Sequence, residues 1–169
     1  MTDPKENLLD WLRDAHAMEQ QAEQMLRAQS GRLEHYPELK ARIDQHLDET
    51  LGQQRLVARC IERLGGSTST IKDLAAKVMA FGQAAGGMAM SDEVVKGSIS
   101  SYVFENLEIA SYTSLIAAAE QVGDIETMTA CEQILPQEVA MAQWLLDHIP
   151  KVTQTYLLRA ATPGEVAKK

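Results

Sequence analysis

The sequence is poor in the residues that cross-link or interrupt a chain. Of its 169 residues, only two are cysteine and five are proline. Cys60 and Cys131 lie on apolar helical stripes far apart in sequence, which favours buried thiols in a reducing compartment and leaves a disulfide as the lesser alternative. Strand signals are absent, which excludes a β-rich fold. No apolar run reaches the roughly 20 residues of a membrane-spanning helix.

Positive charge is also scarce. The chain has 24 acidic residues against 16 lysines and arginines, a formal net charge of −8. Without a basic patch to displace counterions, we expect no nucleic-acid partner and no anionic membrane partner. The polar, acidic start lacks the pattern of a secretory signal, so we expect a cytoplasmic protein. With 45% hydrophobic residues, residues 1–162 are predicted to form a single domain, followed by a disordered tail at 163–169.

Helical periodicity dominates what is present. It predicts four long helices, at residues 5–30, 36–64, 92–122 and 125–158, and a short amphipathic helix at about 69–83. Glycine-containing turns at Gly65-Gly66, Gly86-Gly87 and Gly123-Asp124 separate them. Two short connections and one long crossover are the connectivity of a ferritin-like bundle. The predicted fold is therefore all-α, a ferritin-like four-helix bundle with a short extra helix in the crossover.

Glutamates occupy positions where these helices should carry apolar side chains. Glu19 falls on the stripe of the first helix, Glu138 on that of the last, and Glu105 and Glu108 lie one turn apart on the third. Glu49 flanks the stripe of the second. A carboxylate inside a bundle costs several kcal/mol unless a cation neutralises it. Four or five that converge from four helices indicate a bound metal.

The spacing of the glutamates predicts a binuclear site. Glu19 and Glu49 are 30 residues apart, as are Glu108 and Glu138, and each pair spans one tight turn. Two antiparallel hairpins would bring all four carboxylates to mid-bundle, Glu49 and Glu138 as bridges, Glu19 and Glu108 as terminal ligands. Carboxylate-rich sites of this kind suit iron or manganese.

Nitrogen ligands are less clearly placed. The common Glu-x-x-His pattern is broken, because Gly52 and Met141 stand where the histidines would be. His46 or His16 could supply the nitrogen instead, and Glu105 could add a carboxylate. The alternative is that each glutamate packs its stem while its head reaches water. The candidate metal ligands are Glu19, His46, Glu49, Glu105, Glu108 and Glu138.

At these residues the sequence resembles the YciE/YciF family of bacterial ferritin-like stress proteins, most closely the YciE branch. The resemblance covers about residues 7–160 and rests on DWLRDAHAMEQQAE (10–23), YPELKARIDQHLDET (36–50), SDEVVKGSISSYVFENLEIASYTSLIAAAE (91–120) and LPQEVAMAQWL (135–145). It implies a ferritin-like bundle, a binuclear metal centre, cytoplasmic residence, a homodimer and expression linked to stress. It supplies no defined reaction.

The family's motifs can be carried over by residue. Its first glutamate corresponds to Glu19, its late-helix glutamate to Glu138, its His-x-x-Glu-Thr to residues 46–50 and its Glu-x-x-Glu-Ile-Ala to residues 105–110. Asn106 departs from a pattern that often has histidine. Near the last ligand, Gln137, Ala142 and Gln143 replace acidic residues. These departures remove ligands from one side of the implied centre.

Two functions follow from these observations. The first is a non-haem metal centre that reacts with oxygen or peroxide, as a ferroxidase or a detoxifying peroxidase. The second is a non-catalytic, dimeric stress protein that sequesters metal or keeps a vestigial site and acts through its surface. Iron storage in a larger shell is a third, less favoured function. The sequence does not decide whether the protein is an enzyme.

Overall fold

The computed structural model describes residues 3–67 and 91–167. Four helices make up this part of the chain: α1 (Pro4–Ser30), α2 (Pro37–Arg63), α3 (Glu93–Val122) and α4 (Ile125–Ala161). No strand occurs in the two described ranges. The all-α, ferritin-like four-helix bundle is confirmed, and α4 runs past its predicted end at residue 158. The short helix predicted at 69–83 lies outside the described residues.

Each helix packs against two neighbours. α1 contacts α2 and α3, and α4 contacts α3 and α2. Two side-chain contacts show that α2 and α4 run antiparallel: Gln53 bonds Glu138 in mid-bundle, whereas Arg63, at the end of α2, bonds Asp124 near the start of α4. This arrangement is the two-hairpin connectivity expected of a ferritin-like bundle.

The turn between α3 and α4 is set by two adjacent residues. Gly123 adopts φ 74°, a left-handed conformation that glycine tolerates at a helix end. The Asp124 N–H donates to the carbonyl of Ala119 at 2.8 Å, which closes α3. The Asp124 carboxylate accepts from the Thr127 backbone N–H and so begins α4. One helix therefore ends and the next begins within two residues.

Two apolar clusters form the core and leave a polar band between them. The first cluster includes Leu8, Leu12, Val57, Ile61, Tyr112, Leu115 and Ile134, and the second includes Leu26, Leu39, Ile43, Val94, Met141 and Leu145. Cys60 and Cys131 are free, buried thiols in the first cluster, and burial raises the pKa of Cys131 to about 12. A buried, protonated thiol behaves as a small apolar side chain.

Beyond α4 the chain returns to the bundle. The Tyr36 hydroxyl donates to the carbonyl of Ala167 at 2.6 Å. The single-domain boundary at residue 162 and the disorder of residues 163–169 stay predictions. Across the described ranges, no helix combines the length and the apolar character that a membrane crossing requires.

Substituting Asp124 tests the α3–α4 turn. Burial opposes ionisation of Asp124, but hydrogen bonds from Arg63 and Thr127 outweigh it and lower its pKa. Asp124→Ala should cost about 1–2 kcal/mol of unfolding free energy, the usual cost of losing an N-cap. The stabilisation is complete above the unfolded pKa of about 3.9 and is lost as pH falls through the lower folded pKa. Urea unfolding between pH 2 and 7 measures it.

The control is Glu132→Ala further along α4, since the Glu132 side chain is exposed and lies outside the first turn. It should change the unfolding free energy by less than about 0.5 kcal/mol. Equal losses in the two variants would show that Asp124 does not cap α4.

Candidate metal centre

The polar band at mid-bundle contains five ionisable side chains from all four helices. Glu19 lies on α1, His46 on α2, Glu105 and Glu108 on α3, and Glu138 on α4, and each is at most 3% exposed. Glu105 and Glu108 are three residues apart, so both point to the same side of α3. The helical spacing therefore turns these side chains towards one interior volume.

Four of the five form a compact cluster, hereafter the four-donor cluster. His46, Glu105, Glu108 and Glu138 each place one ligand atom within 4.8 Å of all the others. His46 Nε2 lies 3.1 Å from Glu105 Oε2 and 3.4 Å from Glu138 Oε2. A metal–ligand distance is about 2.0–2.6 Å, so two donor atoms bound to the same ion can be at most twice that distance apart. The cluster is thus compact enough to surround one ion.

Several atoms of the cluster lack hydrogen-bond partners among the described residues. Both carboxylate oxygens of Glu108 are buried without a hydrogen bond, and so are one oxygen each of Glu105 and Glu138 and His46 Nε2, although His46 Nε2 lies within ion-pair distance of the other two. The short His46–Glu105 contact is not aligned as a hydrogen bond. Buried polar atoms nearly always have a partner. This concentration of unsatisfied oxygen and nitrogen in one volume fits a metal cation.

A second layer of polar side chains orients the cluster. His46 Nδ1 lies 2.8 Å from Glu49 Oε2, which also accepts from Arg42 at 3.3 Å. Gln53 donates to Glu138 Oε1. Such contacts hold histidine and carboxylate ligands in place and set the histidine tautomer. With Nδ1 bound to Glu49, the Nε2 of His46 is directed at the cluster.

Glu19 lies beside the four-donor cluster. Its Oε1 accepts a hydrogen bond from the Tyr112 hydroxyl, and its Oε2 has no partner in the described part of the chain. Glu138 and Glu105 act on its ionisation electrostatically, which places them nearby. The buried carboxylate of Glu19 therefore borders the cluster and has one free oxygen.

The structure separates the six predicted ligands into three groups. Glu105, Glu108, Glu138 and His46 come together, Glu19 is adjacent, and Glu49 is a partly exposed residue behind His46. His16, the alternative nitrogen ligand, is buried but outside the four donors. That these residues ligate a metal stays a prediction.

Sequence reasoning missed Gln53 as a site residue. It is 1% exposed and contacts Glu138 and Gln137 across the bundle. The available signal was its position on the apolar stripe of α2, where an amide is as unexpected as a carboxylate. The Tyr112 hydroxyl also belongs to the site, because it donates to Glu19.

In the metal-free bundle, the pKa values of several buried side chains of the site are raised, which favours their protonated forms. Burial, together with the neighbouring carboxylates, raises the pKa of Glu108 and of Glu19 well above the usual range, and that of Glu105 to about 7. Burial would lower the pKa of His46, but Glu105, Glu138 and Glu49 outweigh it and raise this pKa well above the usual value. A metal must therefore displace protons when it binds.

Glu108→Gln should stabilise the metal-free protein at neutral pH. Because the folded pKa of Glu108 is raised, folding at neutral pH requires either an uptake of protons or a buried charge. Stability is then lost as pH rises above the unfolded pKa of about 4.3 and through the folded pKa. An amide avoids this cost, so we expect a gain of about 1–4 kcal/mol at pH 7 that vanishes near pH 4.

Urea unfolding in chelator at several pH values measures this gain. Glu62→Gln on the exposed surface of α2 is the control and should change little. A variant less stable than the native chain at every pH would mean that the Glu108 carboxylate has a stabilising partner.

The fold and the site define a class: a ferritin-like four-helix bundle with a histidine and carboxylates buried at its centre. The sequence matches the family described as "Domain of unknown function (DUF892)" over residues 3–158. The chain therefore belongs to the DUF892 family.

Solved structures show the same fold. A protein from Xanthomonas campestris is 44% identical, with TM-score 0.80, over 95% of this chain and all of that one. YcfI from Rhodopseudomonas palustris is 25% identical, with TM-score 0.71, over 86% of this chain and 94% of that one. The Escherichia coli stress protein YciF is 21% identical, with TM-score 0.70, over 89% of this chain and 97% of that one.

A more distant structure is the dodecameric thioferritin of Bacteroides fragilis, a bacterioferritin-related protein. It is 17% identical, with TM-score 0.71, over 89% of this chain and 88% of that one, and it supports the ferritin-like fold alone. The family match and the likeness to YcfI and YciF support a YciE/YciF-like family. The nearer relation to the YciE branch stays a prediction.

Proposed function

We propose that this protein binds iron or manganese at the four-donor cluster. The observation that carries the proposal is Glu108, whose two carboxylate oxygens are both buried and without a hydrogen-bond partner among the described residues. Three further donors lie within 4.8 Å of it. A site of three carboxylates and one imidazole suits Fe(II) or Mn(II), which accept oxygen and nitrogen ligands together.

A binuclear centre would use Glu19 as well. The free oxygen of Glu19 and the second oxygen of Glu108 would be available to hold another ion. The Tyr112 hydroxyl occupies the other oxygen of Glu19, so this side has fewer free donors than the four-donor cluster. We therefore propose unequal sites: a first ion held tightly by four residues, and a second held more weakly beside Glu19.

Glu49 is proposed to act as a positioning residue. Its carboxylate holds His46 Nδ1 and is anchored by Arg42 and Gln45, while its side chain remains 20% exposed. This use of its oxygens directs His46 Nε2 inward. The bridging role predicted for Glu49 from the sequence would require it to leave these partners.

In the catalytic version of this proposal, the metal centre reacts with oxygen or peroxide. Iron or manganese, when bound, would supply one-electron redox chemistry and a coordination position for oxygen or peroxide. The surrounding residues would hold the ions, and the two apolar clusters would limit water around them. The Tyr112 hydroxyl, which donates to Glu19, is a titratable donor at the edge of the cluster.

The alternative is a non-catalytic protein that retains a metal-binding core. Gly52 and Met141 stand where a di-iron bundle commonly has histidines, which leaves His46 as the one histidine of the cluster. YcfI, which resembles this chain, has itself been proposed to be a structural protein. A stress-linked role in this chain would then depend on its surface.

Metal content tests the proposed site directly. The metal-free chain, titrated anaerobically with Fe(II) or Mn(II), should bind one ion tightly and a second more weakly, by calorimetry and elemental mass spectrometry. Glu108→Gln should abolish both, because it removes a shared ligand. Glu49→Gln should keep the stoichiometry and weaken the tighter site about 10- to 100-fold, as expected for an outer-layer contact.

Glu62→Gln on the exposed face of α2 is the matched control and should bind like the native chain. The proposal would be wrong if the native chain bound less than one ion per chain, or if Glu108→Gln bound as much metal as the native chain. Loss of stoichiometry in Glu49→Gln would instead make Glu49 a ligand.

Peroxide consumption separates the two functions. Metal-loaded native protein should consume hydrogen peroxide faster than the same concentration of free ion, and Glu138→Gln should lose this excess because it removes a cluster ligand. An oxygen electrode or a colorimetric peroxide assay measures the rate. Full metal loading without any excess turnover would favour the non-catalytic protein.

A further inference from the structure

Three polar side chains follow one another along the inner face of α2. His46, Thr50 and Gln53 are spaced four and three residues apart, so they point to the same side of the helix. Each is at most 1% exposed. His46 Nε2 lies 3.4 Å from one oxygen of Glu138, and Gln53 donates to the other. Thr50 therefore lies between two residues that both contact the Glu138 carboxylate.

The Thr50 hydroxyl has no hydrogen-bond partner among the described residues. A threonine within a helix can bond the backbone carbonyl four residues earlier, and Thr113 and Thr153 do so here at 2.7 and 2.8 Å. Thr50 makes no such bond to the carbonyl of His46. Because a buried hydroxyl without a partner is destabilising, its position indicates a bound molecule that is not part of the chain.

The Gln53 amide adds a second unpartnered oxygen, one helical turn from Thr50. Its nitrogen donates to Glu138 Oε1 and, at 2.9 Å, to Gln137 Oε1. An ionised carboxylate accepts hydrogen bonds and cannot donate them, so the contact with Glu138 requires the amide nitrogen and fixes the orientation of the group. Gln53 Oε1 is left buried and without a hydrogen bond in the described part of the chain.

The lengths of the side chains leave room beside Thr50. Its hydroxyl oxygen is two bonds closer to the backbone than the Nε2 atoms of His46 and Gln53, which contact Glu138 from either side. Glu138 Oε2 is itself buried without a hydrogen bond. We therefore expect a gap between Thr50 and this carboxylate, lined by a hydroxyl, an amide oxygen and a carboxylate oxygen. Such a lining suits a small molecule that forms two to four hydrogen bonds.

The lining favours a molecule that can donate hydrogen bonds. The amide oxygen of Gln53 and the ionised carboxylate of Glu138 only accept, whereas the Thr50 hydroxyl can donate or accept. Water and hydrogen peroxide carry the O–H groups that this arrangement requires. Dioxygen has no hydrogen to donate and would leave both acceptors unpaired. Sites that hydrogen-bond a substrate hydroxyl reject analogues without it, because their buried polar groups are then unsatisfied.

We propose that Thr50 and Gln53 bind hydrogen peroxide beside Glu138, in a position that water occupies at rest, and that they favour peroxide over dioxygen as the oxidant. This role deepens the proposed function and rests on it for the reaction. When two Fe(II) ions are bound, peroxide takes one electron from each, its O–O bond breaks, and two protons complete two water molecules. The binding of water by Thr50 and Gln53 does not depend on a metal.

A high-resolution crystal structure of the metal-free chain tests the resting site. The native protein should show an ordered water within hydrogen-bond distance of Thr50 Oγ1 and Gln53 Oε1. Thr50→Val, which keeps the shape of the side chain, should lack this water. Thr113→Val is the matched control and should retain it, because Thr113 is exposed on α3 and bonds its own helix. A Thr50 hydroxyl bonded to the His46 carbonyl, with no water beside it, would overturn the inference.

Stopped-flow oxidation of the Fe(II)-loaded chain tests the choice of oxidant, in variants whose iron content is first matched by elemental mass spectrometry. Thr50→Val should slow oxidation by hydrogen peroxide about 5- to 10-fold, as expected for one lost hydrogen bond, and oxidation by dioxygen less than about twofold. Thr50→Ser, which restores the hydroxyl, and Thr113→Val should both match the native chain.

The outcomes separate this inference from the proposed function. Equal slowing of Thr50→Val with both oxidants, or no slowing with peroxide, would overturn the role of Thr50 and leave the metal site in place. A native chain that binds no iron would contradict the proposed function and, with it, the role in oxidation. The metal-free crystal structure would then still decide whether Thr50 and Gln53 hold water.

Discussion

The structure depends on how a helix bundle accommodates carboxylates at its centre. Glu108 has two buried oxygens without a partner among the described residues, and Glu19, Glu105 and Glu138 surround it. Their mutual repulsion and desolvation oppose folding, while the apolar clusters on either side favour it. Protons, an imidazolium and, in our proposal, metal ions resolve this conflict. The same buried carboxylates therefore affect both the stability of the bundle and its proposed metal binding.

The layering of the site follows from this constraint. His46 can offer Nε2 inward because Glu49, Arg42 and Gln45 form a hydrogen-bonded group behind it, at the edge of the bundle where water still screens charge. Gln53 and Tyr112 perform the corresponding task for Glu138 and Glu19. Ligand positions are therefore supported by neutral donors and partly exposed ions, which avoids adding further buried charge.

The two hairpins differ in their surface charge and in the number of clustered donors that they contribute. α1 and α2 expose charged residues along their outer surface, whereas α3 and α4 contribute three of the four clustered donors. Asp124 and Gly123 hold that second hairpin tightly together.

The helices, their inward glutamates and the bundle connectivity were readable in the sequence, because apolar spacing and turn residues act locally. Which glutamates meet was not. Glu49 and His46 are three residues apart, so they differ by about 60° around α2, and the rotation of that helix against its neighbours decides which one faces the centre. His46 is fully buried there and Glu49 is not. Contacts between helices, such as Gln53 with Glu138 and Tyr112 with Glu19, depend on tertiary packing alone.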